Sequence, residues 1–350
     1  MATDRGTPPL SGTATLTVIL DNVNDSRPRF IQPVTVISIN ESTPSGVVVA
    51  TLTAEDPDLN PRLEYYIISV EAKDDGDKPV VGLQDSFGID LHTGAVFVRN
   101  RLNREFVTTF EKTVSVHDNS SEVIDKSSSV PNARLSINVL DVNDNAPRFR
   151  PFGVTNFTEK ILEGAQPGTT LLSVSAVDPD KGPNGQISYQ LLHLPRGEYV
   201  RLEDTSTGKI VANQTVDFEK VQWLNFTIRA QDQGTPPMSS ELPVYLQIVD
   251  VNDNNPVFLQ PSYQKPVYEN VDLGTTIVRV TATDADSGLF AVIEYSLVDG
   301  EGRFGIRSST GEIYILSPLD RETKDHYTLT AVARDNPGGS PNNRRESSVQ

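Results

Sequence analysis

Short segments in which apolar and polar residues alternate are the dominant pattern along this chain. Clear examples occupy residues 135–139, 244–248 and 327–332. Alternation with a period of two residues predicts β-strands that bury one face. The runs are bounded by Gly, Pro, Asp and Asn, and no segment has the pattern of an amphipathic helix of normal length. The pattern therefore predicts an all-β chain built from sandwiches.

A motif recurs along the chain at intervals of 119 and 109 residues, the spacings from Phe30 to Phe149 and from Phe149 to Phe258. The string Asp-Val-Asn-Asp-Asn occurs at 141–145 and again at 250–254, and a degraded copy occupies 22–26. Each copy is followed by a Pro and then by Phe30, Phe149 or Phe258. A repeat of this length can bury one two-layer core. We expect three repeats, at 26–141, 145–250 and 254–350, with 1–21 as the partial end of a preceding repeat and with the third truncated at its C-terminus.

Other features align with this period. Thr-Gly pairs at 93–94, 207–208 and 310–311 each lead into a predicted strand, where glycine supplies the positive φ that hairpin turns need. Repeat 1 is the longest, and we predict surface loops for its polar stretches 71–78 and 120–131. The single tryptophan, Trp223, lies in the alternating run 221–226 and is predicted to be a strand residue.

Composition narrows the possible settings. The net charge of −17 disfavours a nucleic-acid partner, because phosphate would be repelled. Cysteine is absent, and no apolar run approaches the length of a membrane span, so no direct membrane insertion is expected. Glycosylation sequons fit an extracellular setting, in which calcium can replace disulfides as a source of stability. They begin at Asn24, Asn40, Asn119, Asn156, Asn213 and Asn225.

Four acidic elements recur in the same order in every repeat. They are a Glu after an early strand (Glu41, Glu163, Glu269), an Asp-X-Asp (56/58, 178/180, 284/286), an Asp-X-Glu (217/219, 320/322, with Asn103 and Glu105 in repeat 1) and an isolated Asp (Asp118, Asp232, Asp335). The third and fourth elements are 15 residues apart in all three repeats. Calcium takes six to eight oxygen ligands, so such clusters indicate cation sites. A solvated acidic surface is the alternative, but it does not predict fixed spacing.

These motifs resemble those of cadherin extracellular repeats over the whole chain. The resemblance implies tandem seven-stranded Greek-key β-sandwiches, immunoglobulin-like in architecture, in an elongated array. It implies about three calcium ions at each complete linker, fewer at the first. Within the family, the chain resembles an interior segment of a long, non-classical cadherin whose ectodomain bears force in hearing; Fat, Dachsous and protocadherin types are alternatives.

The resemblance also implies which residues share a linker. For the linker between repeats 2 and 3 they are Glu163, Asp217, Glu219, Asp250, Val251, Asn252, Asp253, Asn254, Asp284, Asp286 and Asp335. For the linker between repeats 1 and 2 they are Glu41, Asn103, Glu105, Asp141, Val142, Asn143, Asp144, Asn145, Asp178, Asp180, Asn184 and Asp232. For the first linker they are Asn24, Asp56, Asp58 and Asp118. Val142, Asn145, Asn184, Val251 and Asn254 would contribute backbone carbonyls.

The first linker departs most from the family pattern. Asn22 and Ser26 stand where Asp and Asn are usual, so we expect at most one ion there. Asn103 replaces an Asp and predicts weaker binding at one ion of the next linker. Glu269, Asp320 and Glu322 are expected to form a half-site for a linker beyond residue 350.

The resemblance implies calcium-dependent adhesion and a mechanical tether, in an extracellular ectodomain of a single-pass plasma-membrane protein. Its expected partners are calcium ions, neighbouring repeats and other cadherin molecules in cis or in trans. A carboxylate enzyme such as a glycosidase is disfavoured, because repeated linker positions do not define one active site. A ligand-capturing sandwich domain would leave the acidic motifs unexplained.

Overall fold

The structure, a computed structural model, describes residues 1–119 and 132–350. Within these ranges the regular structure is almost entirely β-strand, together with two short 3₁₀ turns at Gln84–Ser86 and Pro341–Asn343. The described residues contain no helix that is long and apolar enough to cross a membrane. The prediction of an all-β chain is therefore confirmed.

The first twelve strands in the described residues lie between residues 2 and 140. They are β1 (Ala2–Thr3), β2 (Ser11–Gly12), β3 (Arg29–Phe30), β4 (Val34–Asn40), β5 (Val48–Thr51), β6 (Ala54–Glu55), β7 (Leu63–Lys73), β8 (Pro79–Val80), β9 (Phe87–Ile89), β10 (Ala95–Val98), β11 (Thr109–Asp118) and β12 (Asn132–Leu140).

The strands between residues 148 and 249 follow the same plan. They are β13 (Arg148–Arg150), β14 (Phe157–Leu162), β15 (Thr170–Ser173), β16 (Ser175–Val177), β17 (Ser188–Leu192), β18 (Val200–Leu202), β19 (Lys209–Ala212), β20 (Trp223–Gln231) and β21 (Ser239–Val249).

The remaining strands are shorter. They are β22 (Val257–Phe258), β23 (Thr276–Arg279), β24 (Ala282–Thr283), β25 (Glu294–Leu297), β26 (Phe304–Ile306), β27 (Glu312–Ile315), β28 (Ala331–Arg334) and β29 (Glu346–Val349).

The contacts divide the chain into two compact units. Unit 1 comprises Met1–Asn145 and Pro179–Asn184, and unit 2 comprises Ala146–Asp178 and Gly185–Gln350. In unit 1 a sheet of order β4-β12-β11-β7-β8 and a sheet of order β5-β10-β9 enclose one apolar core. The edge strand β4 pairs with β12 in parallel, whereas β12 pairs with β11 in antiparallel orientation.

Unit 2 contains two apolar cores. The first lies between sheets β14-β21-β20-β17 and β15-β19-β18, and it includes the fully buried Ile210, Ile228 and Leu246. The second lies between sheets β23-β27-β26 and β25-β28-β29 and is smaller. Trp223 begins β20 with 45% of its surface exposed, as expected for a strand residue outside the core.

The three Thr-Gly turns share a close backbone approach. A Cβ atom on Gly94, Gly208 or Gly311 would lie 2.1–2.2 Å from the carbonyl oxygen of Leu52, Val174 or Val280, respectively. Gly94 and Gly311 have φ values of +67° and +70°. Gly208 lies outside the left-handed region, so the predicted positive φ is wrong there and the missing Cβ is what the turn requires.

Other expectations need correction. Residues 71–73 are predicted to lie in a surface loop, but they extend β7, where Ala72 pairs with Val80 and is buried in the apolar core. The turn itself is confined to residues 74–78. The other expected loop, 120–131, lies outside the described residues.

In the last repeat, strands are shorter than the alternation indicates. The pattern at 327–332 predicts a strand, yet the hydrogen-bonded strand β28 begins only at Ala331. Tyr327 and Leu329 still pack against the core. At these positions the alternation of apolar and polar residues therefore indicates which side chains are buried, and it does not require that the backbone is hydrogen-bonded to a neighbouring strand. No strand immediately precedes Glu269, unlike Glu41 and Glu163, which follow β4 and β14.

Candidate metal centre

The site is most complete in unit 2, where it begins with a buried glutamate at the end of β14. Glu163 is 8% exposed, and its two carboxylate oxygens accept hydrogen bonds from the backbone amides of Phe218 and Val251, both at 2.7 Å. Burial raises the pKa of Glu163 above its ordinary value, which these two hydrogen bonds partly oppose. Glu163 thereby joins the Asp-X-Glu turn to the segment 250–254.

The Asp-X-Glu turn places two more carboxylates against Glu163. Carboxylate oxygens of Glu163, Asp217 and Glu219 lie within 4.8 Å of one another. Desolvation, followed by repulsion from Glu163, raises the pKa of Glu219 to about 7. Lys220 bonds to Asp217 at 2.5 Å and lowers the pKa of that carboxyl group. Three carboxyl groups are therefore gathered, and Lys220 pairs with one of them.

The Asp-X-Asp segment is positioned by a buried tyrosine. The backbone amide of Ala282, in β24, donates to the Tyr295 hydroxyl at 2.9 Å, two residues before Asp284. The same bond joins Ala176 to Tyr189 at 2.8 Å. In unit 1, Ala54 donates to Tyr65 at 3.1 Å. Each repeat therefore fixes the start of its Asp-X-Asp through a core side chain, an arrangement that the acidic motifs alone do not indicate.

Asp284 and Asp286 are tied to the 250–254 segment. The amide of Asp286 donates to Asp284 Oδ1 at 3.0 Å. The Asn254 side chain donates to Asp286 Oδ1 at 2.7 Å. The amide of Ser287 donates to Asp250 Oδ2 at 2.7 Å. Burial raises the pKa of both Asp284 and Asp286. Oxygens of Glu219, Asp250 and Asp286 also lie within 4.8 Å of one another.

The isolated aspartate of the third repeat is completely buried. Asp335 has no exposed surface, and its Oδ1 accepts hydrogen bonds from the Arg345 amide at 2.8 Å and from Asn252 Nδ2 at 3.0 Å. Asn252 itself is 5% exposed. A buried aspartate beside further acidic groups is costly unless positive charge compensates it.

Several buried oxygens in this cluster have no hydrogen-bond partner among the described residues. They are Asp250 Oδ1, Asn252 Oδ1, Asp284 Oδ2, Asp286 Oδ2 and Asp335 Oδ2. Buried polar atoms are normally paired, so five orphan oxygens in one cluster indicate a missing partner. Calcium–oxygen bonds of about 2.3–2.6 Å allow two ligands of one ion to lie up to about 5 Å apart. The separations and the all-oxygen donor set therefore fit calcium.

Unit 1 contains a related arrangement around Glu41, which is 3% exposed. Its carboxylate accepts hydrogen bonds from the amides of Arg104 at 2.7 Å and Val142 at 2.9 Å, the counterpart of the Glu163 bonds. Oxygens of Glu41, Glu105 and Asp141 lie within 4.8 Å of one another. Desolvation, followed by repulsion from Glu41, raises the pKa of Glu105 to about 7.

The remaining residues of this arrangement lie on the segment 179–184 and around 141–145. Asn145 Nδ2 donates to Asp180 Oδ1 at 2.6 Å, and Asn184 Nδ2 donates to Asp141 Oδ2 at 2.9 Å. Oxygens of Glu105, Asp144 and Asp180 lie within 4.8 Å of one another. The side-chain oxygen of Asn103 accepts from the Phe106 amide at 3.3 Å.

Two residues predicted for the same linker belong to unit 2. Asp232 is 2% exposed and accepts hydrogen bonds from the amides of Gly234 and Met238. Asp178 directly follows β16 and is partly buried. Their contribution to a shared site stays a prediction from the sequence.

The first predicted linker has fewer acidic groups. The amide of Ser26 donates to Asp58 Oδ2 and the amide of Asp58 donates to Asp56 Oδ1, both at 2.9 Å. Asp118 Oδ1 accepts from the Arg62 amide at 2.8 Å. Asn22 Oδ1 accepts from the Leu59 amide at 3.4 Å. Asp56 Oδ2 is buried without a hydrogen-bond partner in the described chain, consistent with a small site.

A further acidic group lies near the end of the chain. Oxygens of Glu269, Asp320 and Glu322 lie within 4.8 Å of one another, and all three residues are exposed. The Arg321 amide donates to Glu269 at 2.8 Å, as Phe218 does to Glu163. The predicted half-site residues are thus brought together.

The sandwich repeats and their acidic junctions define a class of protein. The family described as "Cadherin domain" matches residues 35–140, 157–249 and 263–350, and the chain belongs to this family. Over its full length the chain is 61% identical to cadherin-23 of Rattus norvegicus and 60% identical to cadherin-23 of Homo sapiens. It spans 11% and 10% of those two proteins, respectively.

A solved structure supports the same assignment. The crystal structure of human CDH23 EC21-23 matches with a TM-score of 0.85 and 57% identity, covering 93% of this chain and 99% of that one. The predicted resemblance to a segment of a long cadherin is therefore confirmed, and the chain is a cadherin ectodomain segment. Cadherin repeats bind calcium as a family property, in agreement with the acidic clusters of this structure.

Proposed function

We propose that this chain is a load-bearing part of a cadherin ectodomain in which calcium at the linkers limits bending between tandem repeats. The observation that supports this most directly is the set of five buried, unpaired oxygens between the two sandwiches of unit 2. Bound calcium would supply the positive charge that these oxygens lack. The repeats each have an apolar core of their own, so calcium is needed at the junction and not for folding each sandwich.

For the linker between repeats 2 and 3, we propose a site for three ions. Glu163, Asp217 and Glu219 would hold the ions on the side of repeat 2. Asn252, Asp284, Asp286 and Asp335 would hold the ion on the side of repeat 3. Asp250 and Asp253 would serve both sides, with backbone carbonyls of Val251 and Asn254 completing the set. The raised pKa values of Glu163, Glu219, Asp284 and Asp286 support this assignment, because they result first from burial of the carboxylates and then from repulsion by neighbouring carboxylates.

For the linker between repeats 1 and 2, we propose the corresponding set, predicted from the sequence. Asn103 supplies a neutral oxygen where its counterpart Asp217 is charged, so one ion should bind more weakly there. For the first linker we propose at most one ion, held by Asn24, Asp56, Asp58 and Asp118.

The domain boundaries follow from the same assignment. We place repeats at 26–141, 145–250 and 254–350, with 1–21 as part of a preceding repeat. The chain would lie outside the cell, in the ectodomain of a single-pass plasma-membrane protein. It would act without enzymatic activity, through neighbouring repeats and other cadherin molecules in cis or in trans, as a tether in mechanotransduction.

The experiment is a calcium titration of the intact chain and of Asp253→Ala, followed by melting temperature and by small-angle scattering. Extracellular calcium modules bind at about 10⁻⁴–10⁻³ M, so the wild-type response should fall in that range. Asp253→Ala should weaken the response and loosen the junction while both repeats stay folded. Asp272→Ala, an exposed aspartate of repeat 3 outside the cluster, is the matched control. A titration of Asp253→Ala that coincides with the wild type would contradict the assignment.

A further inference from the structure

One arginine of repeat 3 bonds directly to the segment that joins the two sandwiches of unit 2. Arg345 Nε donates to the backbone carbonyl oxygen of Asn252 at 2.9 Å, and Nη1 donates to Asn255 Oδ1 at 3.4 Å. The backbone amide of Arg345 donates to Asp335 Oδ1 at 2.8 Å. Arg345 thus contacts one proposed calcium ligand through its main chain and another through its side chain.

The fold does not require an arginine at this position. In repeat 2 the corresponding residue is Met238, because the pair Asp232–Met238 makes the same backbone bonds as the pair Asp335–Arg345. The Asp232 amide donates to the Met238 carbonyl at 3.1 Å, and the Asp335 amide donates to the Arg345 carbonyl at 3.1 Å. A methionine side chain cannot donate to a linker carbonyl. The guanidinium bond to the linker is therefore a feature of repeat 3 that its counterpart position in repeat 2 lacks.

Asn252 is fixed from several directions. Its side-chain nitrogen donates to Asp335 Oδ1 and to the Asn343 carbonyl, both at 3.0 Å, and its own carbonyl accepts from Arg345. These bonds engage the side-chain nitrogen and the backbone carbonyl oxygen of Asn252. Its side-chain oxygen Oδ1 is buried and has no hydrogen-bond partner among the described residues. Oδ1 is the atom that the proposed site would use as a ligand.

We propose that Arg345 is a positioning residue that holds the linker at Asn252 against repeat 3 with or without calcium. The contacts that carry this inference involve protein atoms alone. The linker is thereby preorganised on repeat 3, in addition to the bond from the Val251 amide to Glu163 that joins it to repeat 2. The positioning role does not depend on the proposed function; only the expected effect of Arg345 on calcium affinity rests on the proposed calcium site.

Two physical effects of removing Arg345 have opposite signs. Losing a positive charge beside a cation site should strengthen calcium binding by simple electrostatics. Losing the bond to Asn252 should weaken binding, because the ligands must then be ordered when the ion binds. The sign of the change therefore separates a positioning role from a purely electrostatic one.

The first test uses hydrogen exchange in chelator, where calcium plays no part. The reporters are the amides of Val251 and Asn254, which donate to Glu163 and Asp286, and the control amide is Leu259, which donates to Thr281 within repeat 3. Arg345→Met should speed exchange at Asn254 by about three- to tenfold, the range expected for the loss of one ordinary hydrogen bond. Arg344→Met is the matched control, since Arg344 bonds to Asn336 inside repeat 3 and not to the linker.

The second test is a calcium titration of the same variants. We expect Arg345→Met to lower the calcium affinity about threefold or more and Arg344→Met to leave it unchanged or raise it. Arg345→Lys keeps the charge but not the forked donors, so it should resemble Arg345→Met. Arg345→Lys also replaces Arg345→Met as the test variant if faster exchange at the Leu259 amide shows that the methionine variant unfolds repeat 3.

The outcomes distinguish the two proposals. Equal exchange at Asn254 in Arg345→Met, Arg345→Lys and Arg344→Met would overturn the positioning role, as would a calcium affinity raised equally by both methionine variants. Exchange that is faster only in the Arg345 variants, in a wild-type chain that does not respond to calcium, would keep the positioning role and overturn the proposed function.

Discussion

The carboxylate of Glu163 accepts a hydrogen bond at 2.7 Å from the amide of Val251, a residue 88 positions further along the chain. Glu41 and Val142 repeat this relationship at 2.9 Å across 101 positions. In both cases the second oxygen of the same carboxylate accepts from the Asp-X-Glu turn or its counterpart. In repeats 1 and 2, one buried glutamate therefore connects the end of a strand, a turn and the following linker.

Glu163→Gln should weaken this connection. An amide offers only one acceptor oxygen, so one of the two backbone amides loses its partner, and one negative charge is removed from the cluster. We expect the free energy of unfolding of the calcium-bound chain to fall by about 1–3 kcal/mol and the calcium affinity to fall with it. Thermal unfolding at fixed calcium measures the first effect. Glu159→Gln, a change of the same type at an exposed position of β14, should leave both quantities near their wild-type values.

Tyr295→Phe tests how the core positions the Asp-X-Asp segment. The change removes the hydroxyl that accepts from the Ala282 amide and leaves that buried amide unpaired. We expect repeat 3 to lose about 1–2 kcal/mol of stability, with a weaker response to calcium because Asp284 follows Ala282 by two residues. Tyr268→Phe is the control, since Tyr268 is 86% exposed. Equal melting curves for the two variants would show that the bond does not contribute.

The calcium-free chain should become less stable as the pH rises. Burial and neighbouring carboxylates raise the pKa of Glu105 and of Glu219 from 4.5 to about 7. The folded state then holds more protons than the unfolded state between these values. The stability contributed by these groups is fully present below pH 4.5 and is lost as the pH rises through about 7.

The measurement is a series of melting curves in chelator between pH 5.5 and 8. The melting temperature should fall over this interval in the wild type and should change less in a Glu105→Gln, Glu219→Gln double variant. In saturating calcium the fall should disappear, because the ions compensate the same carboxylates. A melting temperature in chelator that rises towards pH 8 would contradict the account.

A buried lysine limits the stability of repeat 1. Lys112 is 1% exposed, its Nζ has no hydrogen-bond partner among the described residues, and it lies 5.3 Å from the centre of the Phe87 ring. Desolvation lowers its pKa from 10.5 to about 8. The unfolded state therefore binds more protons between pH 8 and 10.5, and stability rises with pH through that window.

Lys112→Met should stabilise repeat 1 by about 1–3 kcal/mol at pH 7, because a similar volume is filled without a buried charge. The advantage over the wild type should shrink above pH 8, where Lys112 is neutral in the folded state. Chemical unfolding at pH 7 and at pH 9.5 measures both effects. Lys78→Met, a change at an exposed lysine of the same repeat, should have little effect at either pH.

The repeated motifs predicted the acidic clusters because each motif is local in sequence and returns at the same offset. Glu163, Asp217 and Glu219 come together in the structure as the motif order indicated. Strands with strict alternation, such as β12 and β21, were predicted for the same reason. Spacing alone could not locate bonds made by residues outside the motifs.

The features that the sequence did not reveal depend on contacts between distant segments. Arg345 is not part of a repeated motif, and its bond to Asn252 exists only because the chain returns to the linker 93 residues later. Lys112 occupies a buried position of the alternating strand β11. Because lysine is a charged residue, its identity does not indicate from the sequence that this position is buried. Residues 71–73 were predicted to be a loop from their polar composition. Their extended structure instead depends on pairing with the neighbouring strand β11, which composition does not indicate.

The most direct test of calcium-dependent stiffness is small-angle scattering of the intact chain, first in millimolar calcium and then in excess chelator. Circular dichroism on the same samples reports whether the sandwiches remain folded. We predict that chelation broadens the distribution of maximum dimensions and lowers the melting temperature while the β-sheet signal is retained. Identical scattering profiles and melting temperatures in both conditions would contradict the claim that calcium at the linkers fixes one repeat on the next.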